Sequence, residues 1–249
     1  MPVEGVRQRA REATRAAITA EARRQLATVG PGGLSLRAVA RSVGMVSSGV
    51  YRYVASRDDL LTILIVEAYD SLGATAERAA ARHASKSSLE RWVATCRAIR
   101  RWARANRHEY ALLYGTPVPG YRAPTDTIGP ATRVTRTLVG IVADAAHDGR
   151  LDPAAEMVVD VPARLLVDLR AISDELAIDL APEHSARAML AWTQLFGMIS
   201  FELFGHTKGA ITAHEELFTA TTTATGRLLG LVTTGPSGGS CPAAPAWQA

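Results

Sequence analysis

Apolar residues in this chain recur at intervals of three and four along almost its whole length, and nowhere settle into strict apolar–polar alternation. That spacing lines one face of a helix and leaves no half-buried strand to be built, so it points to an all-α fold. Gly and Pro then cut the pattern into lengths. Helices are expected over 6–29, 36–43, 47–54, from 57 through at least Leu72, and over 87–106, 108–115, 125–148, 163–180, 183–205 and 211–232. Ser35 and Ser56 stand where N-caps belong, with Asp58 and Asp59 favouring the positive end of the following helix dipole. Gly44 stands where a short helix must end in a left-handed turn.

Charge is unevenly spread over these elements. Residues 1–57 carry ten Arg against three Glu, a net of +7, so a chain of +4 overall leaves −3 for the rest. A basic first quarter on a mildly acidic body is the outline of a head that meets a polyanion. The organisation expected is a head over 1–57, a helical body over 58–232, and a disordered tail over 233–249, where Gly, Ser, Pro and Ala predominate.

The window from Leu34 to Leu61, LSLRAVARSVGMVSSGVYRYVASRDDLL, carries the functional signal. Two short helices joined by a Gly-containing turn bury their apolar faces only against a third helix. Val39, Ala40, Val43, Val50 and Tyr51 are expected to supply the inner face, with Ile18, Ala22 and Leu26 opposite. The other surface of the second short helix, Ser47, Ser48, Gly49 and Arg52, is small and polar and fits a major groove. The window resembles the N-terminal domain of the TetR family of bacterial regulators. In that family a Ser or Thr opens the first short helix, a Gly marks the turn, a Tyr follows seven residues later and a Lys or Arg precedes the next helix. Ser35, Gly44, Tyr51 and Arg57 hold those positions here. Two departures are visible. Val46 and Ser48 replace the usual Ser before the second short helix and the Gly or Pro two residues on, and Val54 replaces an aromatic.

The resemblance implies a three-helix, DNA-binding helix-turn-helix domain followed by a helical ligand-binding and dimerisation domain. Tyr51 and Arg57 would contact phosphates. Val46, Ser47, Ser48, Gly49 and Arg52 would lie near bases, and Ser35 and Arg37 would meet the backbone. For Tyr51, packing within the small core stands equally open. Arg41, Arg7, Arg9 and Arg11 read as general counter-charges. Further along, the stretches 107–121 and 191–205 resemble one subgroup of TetR-type C-terminal domains, which sense small molecules. Trp102, Tyr110, Tyr114, Tyr121, Trp192 and Phe196 concentrate the body's aromatics there and are the expected walls of a pocket for a largely apolar effector, though any one such residue is more often ordinary core. Phe201, Leu203, Phe204, Leu217, Leu228, Leu229 and Leu231 are the expected homodimer face. Two heads about 34–36 Å apart would then read a palindromic double-stranded DNA operator, released when the effector binds.

Other classes fit less well. There is no GxSxG, GxxxxGK[ST] or HExxH, so an enzyme is not expected. The six histidines are scattered, Cys96 and Cys241 have no ligand spacing, and neither metal nor cofactor is called for. The most apolar stretch, 189–204, is broken by Thr193, Gln194, Ser200 and Glu202, so no membrane association is expected and a cytoplasmic location is. The alternative function is a helical ligand-binding or interaction protein without specific DNA recognition.

Overall fold

A computed structural model of the chain describes residues 3–152 and 161–233. The described residues form helices α1 (Val3–Val29), α2 (Leu36–Ser42), α3 (Ser47–Val50), α4 (Arg57–Arg82), α5 (Ser88–Ala105), α6 (Arg107–Tyr114), α7 (Ile128–His147), α8 (Ala163–Leu176), α9 (Pro182–Leu203) and α10 (His214–Leu228), and contain no strand. The expected tail, apart from Thr233, and Cys241 lie outside the described residues. No helix among the described residues is long and apolar enough to cross a membrane.

Local chemistry sets the boundaries. Ser35 Oγ accepts from the Ala38 amide at 3.4 Å and Ser56 Oγ from the Asp59 amide at 3.0 Å, starting α2 and α4. Gly44 adopts φ +72°, which turns the chain so that the Met45 amide reaches the Ala40 carbonyl at 2.8 Å. The second short helix is a turn shorter than its periodicity suggests. After Val50 the chain tightens, with Arg52 bonded to the Gly49 carbonyl and Tyr53 to that of Val50. The shortening turns Tyr51 outward to 51% exposure, and Val54 stands in the core at 2%. Tyr51 is therefore not the core residue of the open alternative.

Two apolar cores result. The smaller joins Ile18, Ala22 and Leu26 of α1 to Val39, Ala40 and Val50, and closes on Leu60, Leu61 and Leu64 of α4. The larger runs through α4, α5, α7, α9 and α10 around Leu72, Trp92, Ile99, Leu138, Leu195 and Phe218. Helix α4 thus belongs to both, and one rigid rod joins head to body. Helix α5 carries a complete capping box, Ser87 with Glu90. It lies so close to α10 that a Cβ on Gly226 would come within 2.5 Å of Leu89. The Trp92 indole N–H donates to the Thr222 carbonyl at 3.1 Å across the same contact.

Candidate nucleic-acid interface and internal cavity

The head presents a polar, largely unengaged surface around α3. Val46, Ser47, Ser48, Tyr51 and Arg52 are exposed and Gly49 half-buried. Val46 occupies the N-cap of α3 and offers no side-chain acceptor, so the first amides of α3 have no capping side chain, and Ser47 and Ser48 beside them are exposed. Arg37, in the first turn of α2, is exposed as well, while Ser35 is half-buried by its capping role. Arg57 behaves differently. Its guanidinium reaches inward, donating to the carbonyls of Pro31 at 2.8 Å, Leu34 at 3.3 Å and Gly32 at 3.4 Å, and so ties the loop after α1 to the start of α4.

Charge inside the head is organised on α1. Arg24 donates to both oxygens of Glu21 and Gln25 to one of them, and these contacts hold Glu21 down at about 2. Arg23 turns the other way, pairing with Glu67 of α4 at 2.5 Å and Glu109 of α6 at 3.0 Å, a bridge from head to body.

The body holds a cavity of about 760 Å³ between α4, α6, α7, α8, α9 and the segment after α6. Its wall is mainly aliphatic and aromatic, with Ile65, Leu112, Val118, Ile128, Met189 and Trp192 among the lining residues, and Glu175 is the one charged side chain among those described. Four rings run in contact along one side. Tyr69 meets Tyr114 edge-on at 6.3 Å between centroids, Tyr114 tilts onto Phe196 at 4.4 Å, and Phe196 onto Trp192 at 5.1 Å. The outer two line the cavity and the inner two back it. Leu112, Val118 and Tyr121 have two neighbours at once, since they line the cavity and also pack against the head core. The Tyr121 hydroxyl lies 2.9 Å from Thr62 Oγ1. Thr62 spends its own proton on the Asp58 carbonyl, so Tyr121 is the donor.

Comparison with known proteins places this architecture. Residues 18–62 match the model for bacterial regulatory proteins of the tetR family, and residues 92–225 a tetracyclin repressor-like C-terminal domain. A curated HTH-type transcriptional regulator of Mycobacterium tuberculosis, Rv1816, is 44% identical over 203 residues, covering 81% of this chain and 85% of the relative. The chain belongs to the TetR family of transcriptional regulators. The fold agrees. The crystal structure of SCO4313 superposes with a TM-score of 0.70 at 32% identity, over 88% of this chain and 97% of that one. The TetR family regulator PfmR from Thermus thermophilus gives 0.55 at 18%, over 84% and 97%.

Within this TetR-family regulator the residues singled out from sequence divide. In the head, Arg37, Val46, Ser47, Ser48, Tyr51 and Arg52 are exposed and Ser35 and Gly49 half-buried, while Arg57 turns inward. Of the six aromatics, Tyr121 and Trp192 line the cavity. Tyr114 and Phe196 stand one layer behind, and burial raises the Tyr114 phenol far above its ordinary range. Tyr110 is fully buried and pushed up to about 12, its hydroxyl bonded to the Phe196 carbonyl and Ser200. Trp102 donates to Ser71 Oγ at 2.9 Å on α4. Sequence reading missed Tyr69, which sits beside the apolar stripe of α4 rather than in either aromatic-rich segment. It also missed the threonines of α7, Thr132 and Thr135, whose only signal was their place one turn apart on an amphipathic helix. Of the expected dimer residues, Leu229 and Leu231 are 1% and 2% exposed and belong to the chain's own core, and Leu203 is partly packed against it.

Proposed function

We propose that this TetR-family regulator is a homodimeric repressor, with no catalytic activity, released from a palindromic operator by a small, largely apolar molecule bound in the 760 Å³ cavity. One observation carries the reading: Leu112, Val118 and Tyr121 touch the cavity and the head core together, so a ligand that displaces them changes what the head rests on. Ser47, Ser48, Gly49 and Arg52, with Val46 and Arg37 beside them, are assigned to the groove, and Tyr51 to phosphate through its exposed hydroxyl. Arg57 is assigned to the loop clamp that holds α2 in place.

Dimerisation is supported by a face the single chain leaves open. On α9 and its C-cap, Leu190, Gly197, Phe201 and Phe204 fall on one stripe, and Leu190, Phe201 and Phe204 are 47%, 57% and 45% exposed. Leu217 and Leu228 continue it on α10, which packs beside α9. Two such faces meeting about a two-fold axis make a four-helix interface, and Gly197 lets the backbones approach. The ligand class follows from the wall. With no Lys or Arg among the described lining residues, an anion would go unpaired there, whereas a neutral or singly cationic molecule would meet apolar carbon, hydroxyls and Glu175. Switching from nearly all bound to nearly all free takes about 5.5 kcal/mol of differential affinity. Burial of about 220 Å² of apolar surface in one state only is worth that much, at roughly 25 cal/mol per Å².

Footprinting on the DNA flanking its own coding region tests the proposal. A two-fold symmetric protected site is expected, lost in Arg52→Ala. A thermal-shift screen of neutral and cationic aromatic compounds should then yield molecules that both stabilise the protein and remove the footprint. Trp192→Ala should blunt that response while sparing the footprint. Stabilising ligands that leave DNA binding untouched would contradict the release mechanism.

A further inference from the structure

Helix α1 is longer than the head needs. Its first residue in the apolar core is Ile18, and residues 5–17 stand exposed apart from a half-buried Thr14, for about 20 Å of helix at 1.5 Å per residue. This overhang holds four arginines, Arg7, Arg9, Arg11 and Arg15, against one acid, Glu12, which is engaged by Gln8 at 2.8 Å. Arg9 bonds back to the Gly5 carbonyl. Arg7, Arg11 and Arg15 have no ion-pair partner among the described residues, and their spacing of four puts them on a single stripe about 12 Å long. By helical periodicity that stripe continues the face which, one turn on, carries Ile18, Ala22 and Gln25 into the head.

The direction of the overhang follows from how α1 and α2 pair. The start of α2 is beside Gln25, whose side chain accepts from the Ser35 amide, and only residues 30–35 separate the two helices, so α2 doubles back along α1, its Val39 and Ala40 sharing the head core with Ile18 and Ala22. The two helices are therefore antiparallel. Going backward along α1 means going toward the Gly44 turn and the N-terminal end of α3, the end that faces bases in a helix-turn-helix. We propose that residues 5–17 form a rigid phosphate-tracking arm, in which Arg7, Arg11 and Arg15 grip the DNA backbone outside the half-site read by α3. A stripe of about 12 Å matches the width of a major groove and spans three to four base pairs at 3.4 Å each. The overhang has no apolar face, with Val6 and alanines alone among its exposed carbon-rich side chains, so a lipid surface offers it no insertion.

This inference rests on the DNA-binding reading and can fail without it. The test compares the full chain with Arg7→Gln/Arg11→Gln/Arg15→Gln, by fluorescence anisotropy on two duplexes: the footprinted site with at least ten flanking base pairs each side, and the same site trimmed to its protected core. The substituted residues are exposed, so the melting temperature should not move. On the long duplex the triple variant should lose about 2.7 from the slope of log K against log salt for each head, at 0.9 per phosphate, or about 5.4 for a dimer on the palindrome, so that the wild-type advantage shrinks about 40-fold per engaged head between 50 and 200 mM salt. Trimming should weaken the wild type and leave the variant unaffected. Equal slopes on the long duplex would overturn the arm, as would an unchanged slope together with loss of binding to phosphatidylserine-containing vesicles. A wild type that binds neither duplex would instead overturn the DNA-binding reading.

Discussion

Removing the guanidinium of Arg57 should cost folding stability and leave the electrostatics of DNA binding alone. It donates to three main-chain oxygens, of Pro31, Gly32 and Leu34, with its side chain 33% exposed. A hydrogen bond from a charged donor contributes about 1.5–3 kcal/mol net. Three would suggest far more, but only the bond to Pro31, at 2.8 Å, has charge-assisted length. The Gly32 carbonyl belongs to an exposed residue that water can reach once Arg57 is gone. The Arg57→Gln loss is therefore set at about 1.5–3 kcal/mol for the whole clamp, or about 3–12 °C in Tm at 2–4 °C per kcal/mol for a chain of this size. Thermal melts by circular dichroism measure the first effect, and the salt dependence of anisotropy on a long duplex checks the second, where the slope should hold. A melt that does not move, with a slope lower by about 0.9 per head, would make Arg57 a phosphate ligand and refute this reasoning.

Three other perturbations probe the body. Tyr121→Phe removes the hydrogen bond to Thr62, worth about 0.5–1.5 kcal/mol, and should change the effector concentration for half-release by about 2- to 13-fold while operator affinity holds; a parallel loss of operator affinity would place Tyr121 in the head's own stability. Arg100, with its side chain 3% exposed, pairs with Glu202 at 2.7 Å and also with Glu215, joining α5 to α9 and α10. Arg100→Ala strands a largely buried carboxylate and should cost about 3–5 kcal/mol in chemical denaturation, whereas a loss under 1 kcal/mol would show that water already solvates the pair. Burial pushes the Cys96 thiol up, so in a Cys241→Ser background the native protein should resist Ellman's reagent until it unfolds, and prompt labelling would contradict the packing of α5.

How much of this was legible in the sequence depended on how local the determining interaction is. Ser35, Gly44 and Ser56 act within three or four residues, and their roles as caps and turn follow from residue type and spacing alone. The capping box of Ser87 and Glu90 was equally open to such reading. The end of α3 was not, because apolar Val50 and Val54 keep helical spacing whether the chain between them is helix or successive turns. Tyr51 and Arg57 are both near the head surface, and only tertiary placement sends one outward and the other to carbonyls 23 to 26 residues away. In the body, aromatic clustering pointed to segments that border the cavity but could not separate wall from backing. Tyr114 and Phe196 differ from Tyr69 and Trp192 in which neighbour covers them, a property of packing across three helices, α4, α6 and α9.

The paired arrangement of heads is tested most directly by sedimentation equilibrium of the chain with its footprinted duplex at about 50 mM salt, read beside hydroxyl-radical protection of both strands. Two chains per palindrome are expected, with protection related by a dyad and half-site centres about 34–36 Å apart. A single chain per duplex, or no complex at that salt concentration, would contradict the account.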